Sequence, residues 1–319
     1  MLLVTGGTGF IGSHLLDRLS ALGEPARCLL RRRAVPRRLP AGIEAAYGDL
    51  TGGQGVEEAL RGVDAVIHLA GVTKALTAGD YDAGNARATE TLARALAGRS
   101  VRLVHVSTLA AIGPSRDGAP VDEDAQPRPL THYGKSKLEA ERIVRALTPE
   151  AVIVRPPVVY GPRDTDVFQV LRSISKGWVL EIAGGDRWFS AIYVRDLVAG
   201  LLAALRGAPG RTYFLAHPQP VSWSELSAAA ARIMDRRPRV LRIPPRVAWA
   251  VGYGAEVWSH VTGKSGIISR EKVAEAQCKW WTCDTRRAAA ELGFQAPTPL
   301  EAGLAETLAW YKEAGWLKY

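Results

Sequence analysis

The sequence predicts an α/β protein in which a doubly wound parallel sheet is followed by a smaller C-terminal lobe. Three observations support this prediction. Short apolar runs alternate with segments of helical periodicity in the first half of the chain, the first run ends in glycines, and the alternation becomes irregular after Pro156-Pro157. Continuous apolar strands in rotation with helices are typical of a parallel sheet covered on both faces.

Length and composition agree with this organisation. A chain of 319 residues is long enough for one large α/β unit with an appended lobe, and 47% hydrophobic residues allow a sizeable core. We place a first domain at residues 1–160 and a lobe at 161–319, from which some segments return to the main sheet. The net charge of +9 favours acidic partners only weakly.

The cysteines and the start of the chain bear on compartment. Cys28, Cys278 and Cys283 form no CxxC or Cys/His cluster, so we expect no metal site and a reducing, cytoplasmic location. The chain enters an apolar run directly after Met1, without a basic region or a cleavage site, which predicts no signal peptide. No run of 18 apolar residues occurs, and we therefore expect no transmembrane helix.

The elements of the first half follow from their periodicity. Apolar runs predict strands at residues 2–5, 26–30, 43–47, 65–69, 101–106 and 151–155. Helical spacing predicts helices that begin at Phe10 and end before Gly23, and at residues 56–60, 81–96 and 133–147.

The stretch VTGGTGFIG joins the first strand to the first helix. Glycines there allow a tight turn and a close approach of the backbone to a pyrophosphate, and the helix N-terminus offers free N–H groups to the anion. Because a strand precedes the turn, a helix follows it and βα units repeat behind it, the turn predicts a dinucleotide site in a Rossmann-type domain. The expected contacts are Gly6, Gly9, Phe10, Ile11 and Gly12.

The arginine-rich stretch LLRRRAVPRR, residues 29–38, follows the second strand. An acidic residue at this strand end binds the ribose 2′-hydroxyl of NAD, whereas an arginine accommodates the 2′-phosphate of NADP. Arg31 and Arg32 therefore predict that NADP(H) is preferred, with NAD(H) as the alternative; Arg37 and Arg38 are expected to be solvated. Nucleic acid is the poorer interpretation, because no aromatic residues are interleaved with these arginines.

Two further stretches carry groups suited to proton transfer. VHVSTLAAIG ends a strand with Ser107 and Thr108, and THYGKSKLEAER places Tyr133 and Lys137 on one helical face. Interconversion of an alcohol and a ketone requires a proton to join or leave the oxygen. A free tyrosine has a pKa of about 10, and we expect the nearby ammonium group of Lys137 to lower it. A strand-end hydroxyl would hold the substrate oxygen near Tyr133.

Together with HLAG at residues 68–71 and RPPVVYGPRD at 155–164, these motifs resemble the extended branch of the short-chain dehydrogenase/reductase superfamily, the NAD-dependent epimerase/dehydratase family. The pattern is most similar to 3-beta-hydroxysteroid dehydrogenase and dihydroflavonol 4-reductase-like members. The resemblance covers essentially the whole chain and implies an NAD(P)-dependent oxidoreductase with a small-molecule substrate; it also allows a homodimer.

The resemblance implies roles for individual residues. Thr108 is the expected catalytic hydroxyl because it stands five residues before Gly113 in the strand-end motif, and it would act with Tyr133 and Lys137. Lys137 would also hold the nicotinamide ribose. Further cofactor contacts are implied for Asp49, Leu50, Leu69, Ala70, Gly71, Asn85, Val106, Ser107, Pro156, Pro157 and Val158.

The same resemblance separates the possible reactions. Sugar dehydratases carry Asp-Glu after the strand-end threonine, whereas Thr108 is followed by Leu-Ala-Ala, and epimerases carry asparagine where Val158 stands. We therefore expect a secondary alcohol or ketone substrate that is apolar or polycyclic. A nucleotide-sugar epimerase is the alternative. A non-catalytic nucleotide-binding subunit is less favoured, because Tyr133 and Lys137 are both retained.

The second half is rich in tryptophan, since all nine lie at or beyond Trp178. These rings either pack the lobe or line an apolar substrate pocket. Residues 243–263 predict an apolar helix that carries Trp249 and Trp258. It is interpreted as a core helix, a cover over the substrate cleft, or a helix at a membrane. We favour the cleft over the membrane, because this face lacks the basic residues that anionic lipid requires.

Overall fold

The computed structural model describes residues 1–31, 39–262 and 269–319. The strands present in these ranges are β1 (Leu2–Thr5), β2 (Ala26–Leu30), β3 (Ile43–Tyr47), β4 (Ala65–His68), β5 (Arg102–Val106), β6 (Val152–Arg155), β7 (Val158–Tyr160), β8 (Trp178–Ile182), β9 (Trp188–Phe189), β10 (Ala191–Tyr193), β11 (Thr212–Phe214), β12 (Val221–Ser222), β13 (Arg239–Ile243) and β14 (Trp280–Trp281).

The helices surround these strands. In chain order they are α1 (Phe10–Leu22), α2 (Val56–Ala59), α3 (Ala78–Tyr81), α4 (Ala88–Leu96), α5 (His132–Leu147), α6 (Val167–Ser175), α7 (Val194–Ala204), α8 (Trp223–Ile233), α9 (Pro245–Thr262), α10 (Arg270–Gln277), α11 (Arg286–Leu292) and α12 (Leu300–Glu313). A π-helical turn, Asp82–Arg87, joins α3 to α4, and Leu109–Ala111 forms a short 3₁₀ turn after β5.

The main sheet has seven parallel strands in the order β3-β2-β1-β4-β5-β6-β11. This arrangement confirms the predicted fold class. The first six strands match the predicted ones to within a residue at each end. The strand order reverses between β1 and β4, and in sheets of this kind the ligand crevice opens at that point, outside the carboxyl ends of the strands. β11 comes from the C-terminal half of the chain and pairs with β6.

Apolar cores lie on both faces of the main sheet. On one face α1, α7 and α11 cover the sheet through buried leucine, valine and alanine side chains. On the other face α2, α4 and α5 do the same. The central strands are buried on both sides, which explains why their sequences read as continuous apolar runs and do not alternate.

The C-terminal lobe has its own core around Tyr160, Tyr193 and Tyr311, to which α6, α8 and α12 contribute. Three small sheets belong to this half: β7 with β10, β8 with β13, and β9 between β12 and β14. None of the helices in the described ranges combines the length and hydropathy needed to cross a membrane.

A buried ion pair fixes α5 to the main sheet. The Arg155 guanidinium at the end of β6 donates to both carboxylate oxygens of Glu141 on α5, at 2.9 and 2.6 Å, and to the backbone carbonyl of Glu123. Both side chains are almost completely buried. A charge that is removed from water in this way requires its partner, because a single buried charge is strongly unfavourable.

We expect Arg155→Met to lower the free energy of unfolding by about 3 to 5 kcal/mol, because it leaves the Glu141 carboxylate buried without its partner. Urea denaturation of the purified protein measures this loss. Arg155→Met/Glu141→Met should recover much of it. The control is Arg142→Met, whose exposed pair with Glu139 should cost no more than about 1 kcal/mol. A single variant as stable as the unmodified protein would contradict the assignment.

Candidate active site

The predicted site residues converge on one edge of the main sheet. Because all seven strands run in parallel, the segments that leave their carboxyl ends lie side by side. These segments are the glycine turn after β1, Arg31 after β2, Asp49 and Leu50 after β3, Leu69 to Gly71 after β4, Val106 to Thr108 at the end of β5, and Pro156 to Val158 after β6.

The glycine turn after β1 is shaped for an anion. Gly6 has a φ of +71°, and a Cβ atom there would lie 2.6 Å from the backbone nitrogen of Ala70. A Cβ on Gly12 would collide with the carbonyl oxygen of Gly6. Helix α1 begins after Gly9 without a side-chain cap and without an acidic residue in its first turn. Its first N–H groups therefore remain available to a phosphate, and the turn fits the pyrophosphate of a dinucleotide.

The adenosine end of the predicted cofactor site is bordered by β2 and β3. Arg31 is exposed directly after β2, and Leu50 is buried after β3. Asp49 accepts a hydrogen bond from the backbone nitrogen of Thr51 at 3.0 Å. Arg32, the second predicted phosphate contact, lies outside the described residues.

Asn85 connects the segment after β4 to α5. It sits in the π-helical turn, is fully buried, and donates from Nδ2 to the Val72 carbonyl at 3.0 Å and to Ser136 Oγ at 2.9 Å. Its Oδ1 accepts from the Val72 backbone nitrogen at 2.7 Å. Ser136 in turn donates to the Tyr133 carbonyl. The Asn85 side chain thereby links the segment that follows Leu69–Gly71 to α5, the helix that carries Tyr133 and Lys137.

Thr108 and Tyr133 face each other. Thr108 caps the 3₁₀ turn after β5, accepting from the Ala110 backbone nitrogen at 3.2 Å, and its hydroxyl lies within hydrogen-bonding reach of the Tyr133 phenol. α5 approaches this turn at Gly134, where a Cβ atom would collide with the Ala110 carbonyl oxygen. Glycine at 134 is therefore what allows the first turn of α5 to come close enough for the two hydroxyls to meet.

Lys137 lies one helical turn behind Tyr133. Its Nζ donates to the Val106 carbonyl at 2.8 Å, and burial lowers the pKa of the ammonium group to about 8, against the opposing effect of Glu141. Two buried histidines stand nearby, and burial together with the Lys137 charge lowers the pKa of His68 to about 3 and that of His105 well below its usual value. The histidines are thus neutral, and Lys137 carries the positive charge of this region.

The pKa of Tyr133 was expected to be lowered by Lys137, but in the structure it is raised. Burial raises the pKa of Tyr133 to about 12, the Thr108 hydroxyl acts in the opposite direction, and Glu275 adds a further increase. Lys137 is not among the main groups that set this pKa, and its ammonium group donates to the Val106 carbonyl. The phenol is therefore protonated at neutral pH, which suits a proton donor.

Ser107 has a buried hydroxyl without a partner in the structure. Its Oγ atom lies next to Thr108 and makes no hydrogen bond, although only 4% of the residue is exposed. Buried hydroxyls are normally paired. A bound polar group, such as part of a nicotinamide cofactor, would satisfy this atom, and the residues at this edge of the sheet therefore fit such a cofactor.

A cavity of about 820 Å³ opens beside Thr108 and Tyr133. Pro157 and Val158 form part of its wall on the side of the main sheet, and the lobe supplies the rest, mainly with apolar side chains. Three of the nine tryptophans line it, together with a phenylalanine from β9: Trp188, Trp223, Trp281 and Phe189. These three tryptophans therefore line a cavity, as the pocket interpretation requires.

Helix α9 is neither a core helix nor part of the cavity wall. Trp249 and Trp258, for which a core position and a place over the cleft were both considered, are absent from the cavity lining and are 43% and 69% exposed. Only the small side of α9, including Ala248 and Gly252, is buried. The periodicity of the segment correctly predicted a helix but could not show which side faces the protein.

Sequence reasoning missed the polar residues that α10 brings to the site. Glu271 accepts from the His132 backbone nitrogen at 2.9 Å, and Glu275 accepts from Thr131 at 3.4 Å, so α10 binds the N-terminus of α5. Glu275 also pairs with Lys272 at 2.8 Å, and both line the cavity. No local motif marks these contacts, because the partners are more than a hundred residues apart.

A comparison with family models decides the family. The model described as the NAD dependent epimerase/dehydratase family matches residues 2–216, two thirds of the chain and most of the site described above. The chain belongs to this family. The family predicted from the motifs is thereby confirmed, and the epimerase/dehydratase assignment brings with it NAD-dependent chemistry.

Relatives of this epimerase/dehydratase member include reductases. It is 31% identical over 317 residues to a ceramide reductase from Caulobacter vibrioides, with 98% of this chain and 95% of the relative covered. It is 30% identical over 315 residues to a 4-hydroxy-2-methyl-3-oxo-4-farnesyl-3,4-dihydroquinoline-1-oxide ketoreductase from Stigmatella aurantiaca, with 94% and 93% covered. Among solved structures, MoeE5 in complex with UDP-glucuronic acid and NAD has a TM-score of 0.78 at 26% identity and covers 98% and 99% of the two chains.

The close approach at Gly134 generates a prediction. Gly134→Ala should lower turnover by at least about tenfold, since the new methyl group pushes the first turn of α5 away from Ala110 and separates Tyr133 from Thr108. Steady-state kinetics measures the loss, and dinucleotide binding should change little. Gly254→Ala is the control, because nothing lies within 4 Å of a Cβ atom at that helical glycine. Full turnover in the Gly134 variant would show that this approach does not position the hydroxyls.

Proposed function

We propose that the protein is an NAD(P)-dependent oxidoreductase that interconverts a secondary alcohol and a ketone on a large apolar substrate, with NADP(H) preferred. One observation carries the proposal: the Thr108 and Tyr133 hydroxyls stand at the wall of a cavity of about 820 Å³ whose lining is mainly apolar and includes three tryptophans. A pocket of this size and character suits a long-chain or polycyclic molecule.

The chain's own groups have separate roles in this reaction. A bound nicotinamide would supply or accept the hydride. Tyr133 would donate its proton to the carbonyl oxygen during reduction and take it back during oxidation, and Thr108 would hold that oxygen by a hydrogen bond. Lys137 would hold the nicotinamide ribose and keep the region positive. The raised pKa of Tyr133 supports the reductive direction, because the phenol then has its proton to give.

The cofactor would lie along the edge of the sheet. The turn at Gly6, Gly9 and Gly12, with the following Phe10 and Ile11, would hold the pyrophosphate. Asp49 and Leu50 would border the adenine, and Arg31 would bind the 2′-phosphate of NADP. The remaining predicted contacts would line the nicotinamide half: Leu69, Ala70, Gly71, Asn85, Val106, Ser107, Pro156, Pro157 and Val158.

The charges of the cavity support an apolar substrate over a nucleotide sugar. A nucleotide sugar carries a diphosphate and needs cations that are free to bind it. Among the described residues that line the cavity, the cations are Arg187, Arg242 and Lys272. Arg187 donates to backbone carbonyls at 2.6 and 2.9 Å, Arg242 faces Glu181 at 3.4 Å, and Lys272 pairs with Glu275 at 2.8 Å.

The relatives support the same choice. The names of the ceramide reductase and of the farnesyl quinoline ketoreductase describe reduction and substrates with long apolar groups. Structural similarity to MoeE5, which was solved with UDP-glucuronic acid and NAD, supports a nucleotide-sugar enzyme as the second candidate. An assay that follows NADPH oxidation with long-chain and polycyclic ketones, beside one that follows epimerisation of UDP-sugars, separates the two.

Cofactor preference can be tested at Arg31. NADPH should bind at least about tenfold more tightly than NADH, equivalent to about 1.4 kcal/mol, because the guanidinium pairs with the 2′-phosphate. Titration of the purified protein with each cofactor measures the ratio. Arg31→Asp should reverse the preference, whereas Arg18→Asp, an exposed change on α1, should leave it unaltered. Equal affinities in the unmodified protein would contradict the assignment.

The pH dependence of turnover tests Tyr133. Reduction uses the neutral phenol, and burial raises its pKa to about 12. Ketone reduction should therefore stay constant up to about pH 7, below the pKa of about 8 of Lys137, while alcohol oxidation, which uses the phenolate, should rise with pH over that range. Both rates should be measured under cofactor saturation.

Replacement of the phenol completes that test. Tyr133→Phe should reduce turnover by about 10²-fold or more, with little change in cofactor affinity. Tyr81→Phe is the matched control, because its ring lies 6.2 Å from that of Tyr133 but does not line the cavity. A fully active Tyr133→Phe enzyme would rule out the mechanism.

A further inference from the structure

Helix α9 presents large apolar side chains to solvent. It is 18 residues long, and the side chains that remain 43 to 77% exposed are those of Val247, Trp249, Val251, Tyr253, Val257, Trp258 and Val261, here called the α9 surface. Scattered exposed apolar residues are ordinary, but seven on one helix form a patch that normally marks an interaction site.

The buried side of α9 is made of small residues. Ala248, Gly252 and Ser259 are buried, and a Cβ atom on Gly252 would lie 3.0 Å from Val273 of α10. A helix on the surface of a water-soluble protein normally buries its large apolar residues and exposes its polar ones. In α9 this arrangement is reversed, so its large apolar residues are left open to a partner.

Exposed basic residues lie just before α9 and in its first turn. In residues 235–262 the only acidic residues are Asp235 and Glu256, against five arginines. Glu256 pairs with Arg270 at 2.7 Å. The five arginines are exposed: Arg236 and Arg237 precede β13, Arg239 and Arg242 lie in β13, and Arg246 lies in the first turn of α9. Arg242 faces Glu181 at 3.4 Å, which leaves the other four for a partner. Apart from Arg246, the basic residues beside the α9 surface therefore come from β13 and the turn before it.

The same region is continuous with the wall of the cavity. Leu180 of β8 and Arg242 of β13 both line the cavity, and β13 leads into α9 through Pro244 alone. Leu180 and its neighbour in the sheet, Leu241, are 47% and 48% exposed. An apolar surface thus extends from the cavity wall across β8 and β13 to α9.

We propose that the α9 surface and the exposed Arg236, Arg237, Arg239 and Arg246 beside it dock the protein onto an anionic phospholipid bilayer, with α9 lying in the plane of the interface. Trp249, Tyr253 and Trp258 have the amphipathic rings that such interfaces favour. The valines would insert among the acyl chains, and the arginines would pair with lipid phosphates. Since α9 does not qualify as a membrane-crossing helix, it lies on the bilayer and does not span it.

The continuity with the cavity gives this docking a consequence. An apolar substrate dissolved in the bilayer could pass along β8 and β13 into the cavity without crossing water. That consequence rests on the proposed function. The docking itself does not, because it is measured without turnover.

Co-sedimentation with vesicles tests the proposal. The purified full-length chain is mixed with vesicles of phosphatidylcholine alone or of phosphatidylcholine with one third phosphatidylglycerol, and bound protein is measured as lipid and salt are varied. We expect binding to the anionic vesicles that weakens with salt, and at least tenfold weaker binding to phosphatidylcholine alone.

Two variants separate the apolar and the ionic contributions. Trp258→Ser/Val261→Ser removes two of the most exposed side chains of the α9 surface and should weaken vesicle binding at least about tenfold. Its control is Leu22→Ser, an exposed apolar residue on α1. Arg239→Gln/Arg246→Gln should abolish the preference for phosphatidylglycerol, whereas Arg61→Gln/Arg142→Gln should not. Circular dichroism melting checks that each variant is folded.

Every result decides the matter. Selective loss in the two test variants supports the proposal. Absence of vesicle binding, or unchanged binding by folded test variants, overturns it. If sedimentation velocity shows that the unmodified chain is a dimer and that Trp258→Ser/Val261→Ser is a monomer, with vesicles unbound in both, a second copy of the chain occupies the surface and the bilayer does not. If the unmodified chain binds vesicles but reduces no ketone, the proposed function alone is contradicted.

Discussion

The placement of α5 is the constraint on which the rest of the site depends. The helix carries both Tyr133 and Lys137, and three separate contacts hold it: the buried Arg155–Glu141 pair fixes its middle to β6, the missing side chain of Gly134 lets its first turn approach the end of β5, and carboxylates of α10 bind its N-terminus. A shift of an ångström in such a helix separates reacting groups and slows catalysis. Fold stability and site geometry are therefore supported by the same contacts.

The two halves of the chain supply different chemistry to one place. The edge of the parallel sheet presents glycine backbone, a free helix N-terminus and the Lys137 charge, which together suit an anionic dinucleotide. The lobe presents aromatic and aliphatic side chains around a cavity, which suit an apolar molecule. Thr108 and Tyr133 stand where these surfaces meet. The Tyr133 phenol at this boundary is shielded from water, and that shielding is also the main reason for its raised pKa.

The sequence predicted the elements and motifs whose signals are local. The six strands with continuous apolar runs, the glycine turn and the Tyr-x-x-x-Lys spacing were readable because each depends on neighbouring residues. β11 has three residues and owes its existence to pairing with β6, so no periodicity marks it. The contacts of Glu271 with α5 and the outward orientation of Trp258 depend on distant partners. The expected lowering of the Tyr133 pKa also failed, because burial depends on the whole fold.

The exposed apolar side chains of α9 and the apolar wall of the cavity belong to the same lobe. Helix α9 buries Ala248 and Gly252 while it exposes Trp258 and Val261. It therefore lacks the stabilisation that burial of the larger apolar side chains would give. The proposed docking onto a bilayer would cover this apolar area. The cavity wall is also mainly apolar. Leu180 belongs to that wall and is at the same time 47% exposed. The hydrophobic effect would thus hold an apolar substrate in the cavity, and the same effect would hold α9 on the bilayer in which that substrate dissolves.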